Sequence, residues 1–232
     1  VLKGVFLDQE RLFIGGNNSL LGPVKADFGA MTAAGARIKG KLPKGLNYGH
    51  PLSKGTVNYD ARKFYDVSGI VKNQINVLAE LTALANWYKQ VRINCVAQTH
   101  EQKFLYESGL RMVELNYQER LDQLSRYVDS LENSVRLLEG MQTSKKEISE
   151  QKDLLSRWPK LGSEFKNLEK YETQIPKSLK EELENMQSQG QSEYTGLIKN
   201  LSQSGKQSGK TWLSEIAGIV RNVYTAGINK SG

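Results

Sequence analysis

The sequence predicts an all-α protein: an elongated long-helix or coiled-coil rod, or a helical hairpin, with an irregular Gly-rich N-terminal arm and a short C-terminal amphipathic helix. Three observations predict it. Leu110, Val113, Tyr117, Leu121, Leu124, Val128, Leu131, Val135 and Leu138 recur every three or four residues, which places them on one stripe of an α-helix and, from Leu121 on, in an a/d alternation that lets helices pair. Ten glycines and three prolines crowd residues 1–56, a density that opposes long regular elements. Beyond residue 210, Trp212, Ile216, Ile219, Val220 and Val223 share one helical face.

Residues 1–65 read as a basic Gly/Pro-rich arm with little regular structure. Val5–Leu7 and Leu12–Ile14 suit a short hairpin around Asp8-Gln9-Glu10, and residues 27–38 suit one or two turns of helix weakened by Gly29 and Gly35. The arm has too few apolar residues to fold on itself, so it is expected to wrap over something else. No internal repeat of the length usual in solenoids and propellers is visible.

The rod occupies residues 66–189, with breaks near Gly109, Pro159 and Pro176. Asp66 is a suitable N-cap, and Val67, Val71, Ile75, Leu78, Leu81, Ala85, Tyr88, Val91 and Cys95 keep helical spacing after it. This first helix is expected over 66–107, with Ser108-Gly109 as a stop, and a second over 110–157. A single glycine costs only about 1 kcal/mol inside a helix, so the reading leans towards one continuous or gently kinked rod of about 135 Å at 1.5 Å per residue. The alternative is an antiparallel hairpin. Lys145 and Lys152 enter the stripe where it weakens, and Trp158-Pro159 marks a boundary, because a residue before proline is pushed out of helical geometry. Leu161, Phe165, Leu168 and Tyr171 carry a further helix, which resumes after Pro176 through Leu179, Leu183 and Met186. Residues 190–210 have the Gln/Ser/Gly/Lys composition of a flexible linker, and residues 211–232 form the closing amphipathic helix.

Charge divides along the same lines. The net charge is +7, with 10 Lys/Arg against 4 Asp/Glu in residues 1–65, 17 against 19 in residues 66–190 and 5 against 2 thereafter. Basic ends on a near-neutral body attract polyanions. Arg37, Lys39, Lys41, Lys44, Lys54, Arg62 and Lys63, interleaved with Tyr48, Tyr59, Phe64 and Tyr65, are the candidate anion or nucleic-acid contacts.

Catalytic chemistry finds little support. Ser204–Thr211 ends in Gly-Lys-Thr, like a phosphate-binding loop, but Ser204 stands where the first glycine belongs, no buried strand precedes it and only 21 residues follow. His50 and His100 are the two histidines and Cys95 is the one cysteine; their spacing suits neither a metal site nor a nucleophile with its base. No catalytic residue, metal or cofactor is therefore expected, and no small-molecule substrate.

The expected function is structural and non-enzymatic: a self-associating subunit of a multi-copy assembly. The nine stripe residues Leu110 to Leu138 form its oligomer seam, and the basic ends touch nucleic acid or neighbouring subunits. In organisation the chain is similar to viral or phage structural and DNA-delivery proteins and to components of bacterial conjugation or secretion machines. The alternative is a peripheral membrane or adaptor protein docking through Trp212, Ile216, Ile219, Val220 and Val223. The sequence as given shows no signal peptide or membrane-spanning run; it does not fix a location, and a virion or cell-envelope apparatus is one setting that fits.

Overall fold

A computed structural model describes residues 3–49, 60–141 and 145–228. It separates into two compact units, Lys3–Tyr59 and a second that begins at Asp60. The first is built from strands and the second from helices.

In the first unit a 3-10 turn, Lys3–Phe6, precedes five strands: β1 Phe13–Ile14, β2 Ser19–Ala26, β3 Ala30–Thr32, β4 Arg37–Leu42 and β5 Gly45–Asn47. Every pairing is parallel. β1, β3 and β5 form one sheet in that order, and β2 pairs with β4. Phe13 lies opposite Met31, Ser19 opposite Arg37 and Leu20 opposite Ile38, the same sequence offset in all three pairs. The chain therefore winds as a short parallel β-repeat, and its second-coil strands stack on the first. Asn17 (φ 56°) and Gly35 (φ 70°) stand one such offset apart and both turn the chain in the left-handed region, which Gly and Asn tolerate best.

This overturns three expectations. The arm is regularly structured rather than irregular, residues 5–14 form no hairpin because β1 pairs with β3, and residues 27–38 hold strands instead of helix. Polar side chains staple successive coils: the Asn18 amide donates to Thr32 Oγ1 at 2.6 Å, and its Oδ1 accepts the Ala36 N–H at 2.6 Å. One buried cluster among the described residues consists of Ala30, Ala36, Ile38 and Leu42 with Val24 packed beside them, and Phe6 and Thr32 are buried as well.

The second unit holds six α-helices among the described residues: α1 Val67–Asn86, α2 His100–Glu139, α3 Lys145–Leu168, α4 Lys177–Ser188, α5 Tyr194–Asn200 and α6 Gln203–Ile228. A π-helical segment, Trp87–Val96, continues α1. Asp66 does cap α1, its carboxylate accepting the Gly69 N–H. Thr99 opens α2 with a reciprocal capping box to Gln102.

The chain reverses at Ala97–Thr99, not at Gly109. Gly109 sits inside α2 against the π-helical segment: a Cβ there would meet Tyr88 Cε1 at 2.6 Å, so the glycine permits close helix packing rather than stopping a helix. Ser134 Oγ, near the end of α2, accepts the Phe64 N–H at 2.9 Å just before α1 begins, so α1 and α2 are antiparallel. The hairpin reading holds and the continuous rod does not. α3 returns alongside α2, with Lys152 paired to Glu139 at 2.7 Å near one end and the Tyr117 hydroxyl donating to the Phe165 carbonyl at 2.7 Å near the other. α6 then runs antiparallel to α1: Trp212 Nε1 donates to Thr173 Oγ1 at 2.8 Å, and Arg221 reaches Glu80 at 2.7 Å. The result is an up-down-up-down bundle of α1, α2, α3 and α6, with α4 and α5 inserted before the last helix.

Two further boundaries differ from expectation. Pro159 lies within α3. It is exposed, while Leu154, Trp158, Leu161 and Phe165 on either side are buried, and this apolar face holds the helix together through the hydrogen bond that proline forfeits. Residues 190–210 contain α5 and the start of α6 rather than a linker. Leu197, Ile198 and Leu201 are buried there, so packing overrides a polar composition. The break at Pro176 stands where expected, with Pro176 at the N-cap of α4.

Candidate assembly surface

The stripe on α2 is not free. Val113, Tyr117, Leu121, Leu124, Val128, Leu131, Val135 and Leu138 are buried within the single chain and Leu110 is half-buried, covered by α1 and α3 packed along α2. An oligomer seam at these nine residues is therefore corrected: they form the bundle's own core. The same holds for the last helix. Trp212, Ile216 and Val220 are buried in the bundle, and only Ile219 and Val223 reach a groove of about 580 Å³ between α3 and α6, beside Leu161 and Arg157. The apolar face expected to dock on a partner or a membrane is mostly turned inward.

The Gly-Lys-Thr stretch is helical. Ser202 caps α6 through its Oγ, which accepts the Gly205 N–H at 3.0 Å, and Glu182 in turn accepts the Ser202 N–H and hydroxyl. A carboxylate of the chain itself thus occupies the positive end of the helix where a phosphate would bind. Lys206 is buried and donates to the Lys199 carbonyl at 2.9 Å, closing the end of α5. Cys95 is half-buried and burial pushes its thiol pKa up, the opposite of what a nucleophile needs. His100 is exposed in the first turn of α2, while His50 lies outside the described residues. Among the described residues no three His, Cys, Asp or Glu side chains cluster to hold a metal ion.

The basic set is divided between the units. Arg37, Lys39, Lys41 and Lys44 are exposed in the first unit, where Lys41 pairs with Asp27 at 3.1 Å and Lys44 with Glu10. Arg62 and Lys63 belong to the second unit and share Asp60; the Arg62 hydrogen bond holds the Asp60 carboxyl well below its usual pKa. Lys54 lies outside the described residues. Within the described part of the set, Arg37 and Lys39 carry no ion pair.

What the structure brings together instead is an apolar ladder. In the β1-β3-β5 sheet, Phe13 stands opposite Met31 and Met31 opposite Leu46. Paired residues of parallel strands point to the same face, and these three point outward, 61%, 43% and 62% exposed. They are not isolated. Ten large apolar or aromatic side chains between Leu7 and Tyr48 are more than a third exposed. Burying Phe13, Met31 and Leu46 against a partner would contribute about 1–2 kcal/mol each, scaling the value for a full side chain by the area still exposed.

This ladder is hard to read from the sequence because its two offsets, Phe13 to Met31 and the shorter Met31 to Leu46, are unequal and both shorter than the repeats of solenoids and propellers. The signal was present in the recurrence of Phe13-Ile14, Met31-Thr32 and Leu46-Asn47, each followed within a few residues by glycine. Among the described residues no helix is long and apolar enough to cross a membrane. The chain matches no protein-family model, no curated protein and no solved structure.

Proposed function

We propose that this chain is a non-enzymatic assembly subunit of a multi-copy complex, joined through its N-terminal β-repeat rather than through the α2 stripe. The observation that carries the reading is the outward Phe13–Met31–Leu46 ladder, three large apolar side chains side by side on one exposed sheet face. Contiguous exposed apolar surface marks a contact site, and a stacked repeat ordinarily needs covered ends and faces to be stable. Arg37 and Lys39 on β4, exposed and without ion pairs among the described residues, fit an acidic neighbour or a nucleic acid at the rim.

The test is light-scattering mass after size exclusion at low and high salt, with nucleic acid followed by its ultraviolet absorbance ratio. The wild-type chain is expected as a salt-resistant oligomer. Replacing Phe13, Met31 and Leu46 together by Ser should lower the mass while leaving helical circular dichroism unchanged. An unchanged mass in the triple variant, or a wild-type monomer, would refute the proposal.

A further inference from the structure

The bundle carries a second unpartnered apolar surface, on the opposite side of α2 from the buried stripe. Phe104, Leu105, Met112 and Leu115 are 66%, 65%, 58% and 47% exposed. With Ser108 between them they lie within an arc of about 100° and a length of about 16 Å. Nothing in the bundle core calls for them there: Tyr106, Val113 and Tyr117 already supply this segment's inward face. Their exposed area, on the order of 400 Å², falls in the range where a monomer's largest apolar patch is commonly a binding site.

We infer that this ridge pairs with the same ridge of a second copy, antiparallel, about a two-fold axis through Ser108. The inference deepens the assembly reading by naming the partner and a second contact. Two features favour a second copy. The ridge is self-complementary about its centre: the small Ser108 lies between bulky Phe104 and Leu105 on one side and Met112 and Leu115 on the other. The two-fold operation sets Phe104 of each helix against Met112 of the other. Ser108 Oγ is already turned back to the Phe104 carbonyl at 2.8 Å, which leaves no polar group to strand at the axis.

Charge agrees with the same geometry. Glu107 and Arg111 lie on one flank of the ridge, one turn apart. A two-fold axis at 108 places Arg111 of each copy beside Glu107 of the other, within about two residues' rise. Arg111 is exposed and has no ion pair among the described residues, while Glu107 has only a weak 4.0 Å contact to Lys103. Isologous pairing repeats any such contact twice.

The test uses the full chain carrying the Phe13, Met31 and Leu46 to Ser changes, so that the ladder does not contribute. Its mass is expected to be that of a dimer over a concentration series, and Met112→Glu should halve it. Glu107→Arg and Arg111→Glu should each weaken the dimer and together restore it. In a Cys95→Ser background, Ser108→Cys should oxidise readily to a covalent dimer. Helices about 9 Å apart bring two on-axis Cα atoms to about 4–5 Å, within disulfide reach. Asn116→Cys, off the axis, should cross-link far more slowly. A monomer at every concentration, or Ser108→Cys cross-linking no faster than Asn116→Cys, would overturn the ridge contact without touching the ladder. An unchanged mass on ladder substitution, with dimers lost on Met112→Glu, would do the reverse.

Discussion

Leu131→Ala separates a seam between molecules from a core within one. Leu131 is fully buried in the single chain, in the middle of the α2 stripe. Truncation removes three carbons, about 2.4 kcal/mol of transfer free energy at 0.8 per methylene. A residual cavity of about 50 Å³ adds about 1 kcal/mol, because helices packed on two sides relax only in part. The expected loss is therefore about 3–4 kcal/mol. Tryptophan fluorescence reads it cleanly, because the three tryptophans, Trp87, Trp158 and Trp212, all belong to the helical unit. With a urea slope of about 3 kcal/mol per molar, the midpoint should fall by more than about 1 M. That shift should not depend on protein concentration, and the native mass should be that of the parent. A midpoint that rises with concentration, or a native mass that drops on substitution, would mean that the stripe is satisfied by another copy and would refute the bundle assignment.

Asn86→Ala should cost about 2–4 kcal/mol, because truncation of the buried amide orphans two partners. It donates to the Tyr171 carbonyl at 2.9 Å and accepts the Thr173 N–H at 2.9 Å; hydrogen exchange at Thr173 should quicken, and an unchanged rate would count against the tie between α1 and the α3–α4 connection. Pro159→Ala should raise the melting temperature, since it restores a hydrogen bond inside α3 and improves helix propensity by about 1–3 kcal/mol; a lower melting temperature would show that the proline is packed rather than tolerated. The Tyr127 hydroxyl is buried with no hydrogen-bond partner among the described residues, and burial pushes its pKa up to about 12. The unfolded phenol ionises first, near pH 10, so this group's share of stability is whole below about pH 10 and lost as pH rises towards 12. Tyr127→Phe should flatten that decline in urea titrations, and an identical decline in both proteins would dismiss the assignment.

The contrast between the two units shows where sequence reading succeeds. Helix periodicity is local, so the stripes at Val67–Cys95, Leu110–Leu138 and Trp212–Val223 announce helices whatever they pack against. Asp66 and Pro176 mark helix starts through side-chain and φ constraints that operate within one turn. A stripe does not say what covers it. The α2 stripe fits a coiled-coil partner or α1 and α3 of the same chain equally well, and the choice was made at Ala97–Thr99, where the extended conformation of Ala97 turns the chain back.

The parallel β-repeat lies beyond local reading for a stronger reason. Each of its ladders joins residues on different coils, as Phe13 with Met31, Leu20 with Ile38 and Met31 with Leu46, and such short strands carry almost no periodic signal of their own. The glycines that argued for an irregular arm include corners, with Gly35 and Asn17 at equivalent places in successive coils. Lys206 and Glu182 make the same point in the helical unit. From the sequence they look like ordinary linker and helix-surface charges, yet one closes α5 and the other caps α6, because the fold carries them to those helix ends. Spacing and composition were enough to locate most of the helical segments and the basic character of the N-terminal arm, since each is a property of neighbouring residues. Which apolar faces are spent inside the chain, and which stay exposed at Phe13–Leu46 and Phe104–Leu115, depended on packing, because burial belongs to the folded arrangement and not to any residue in it.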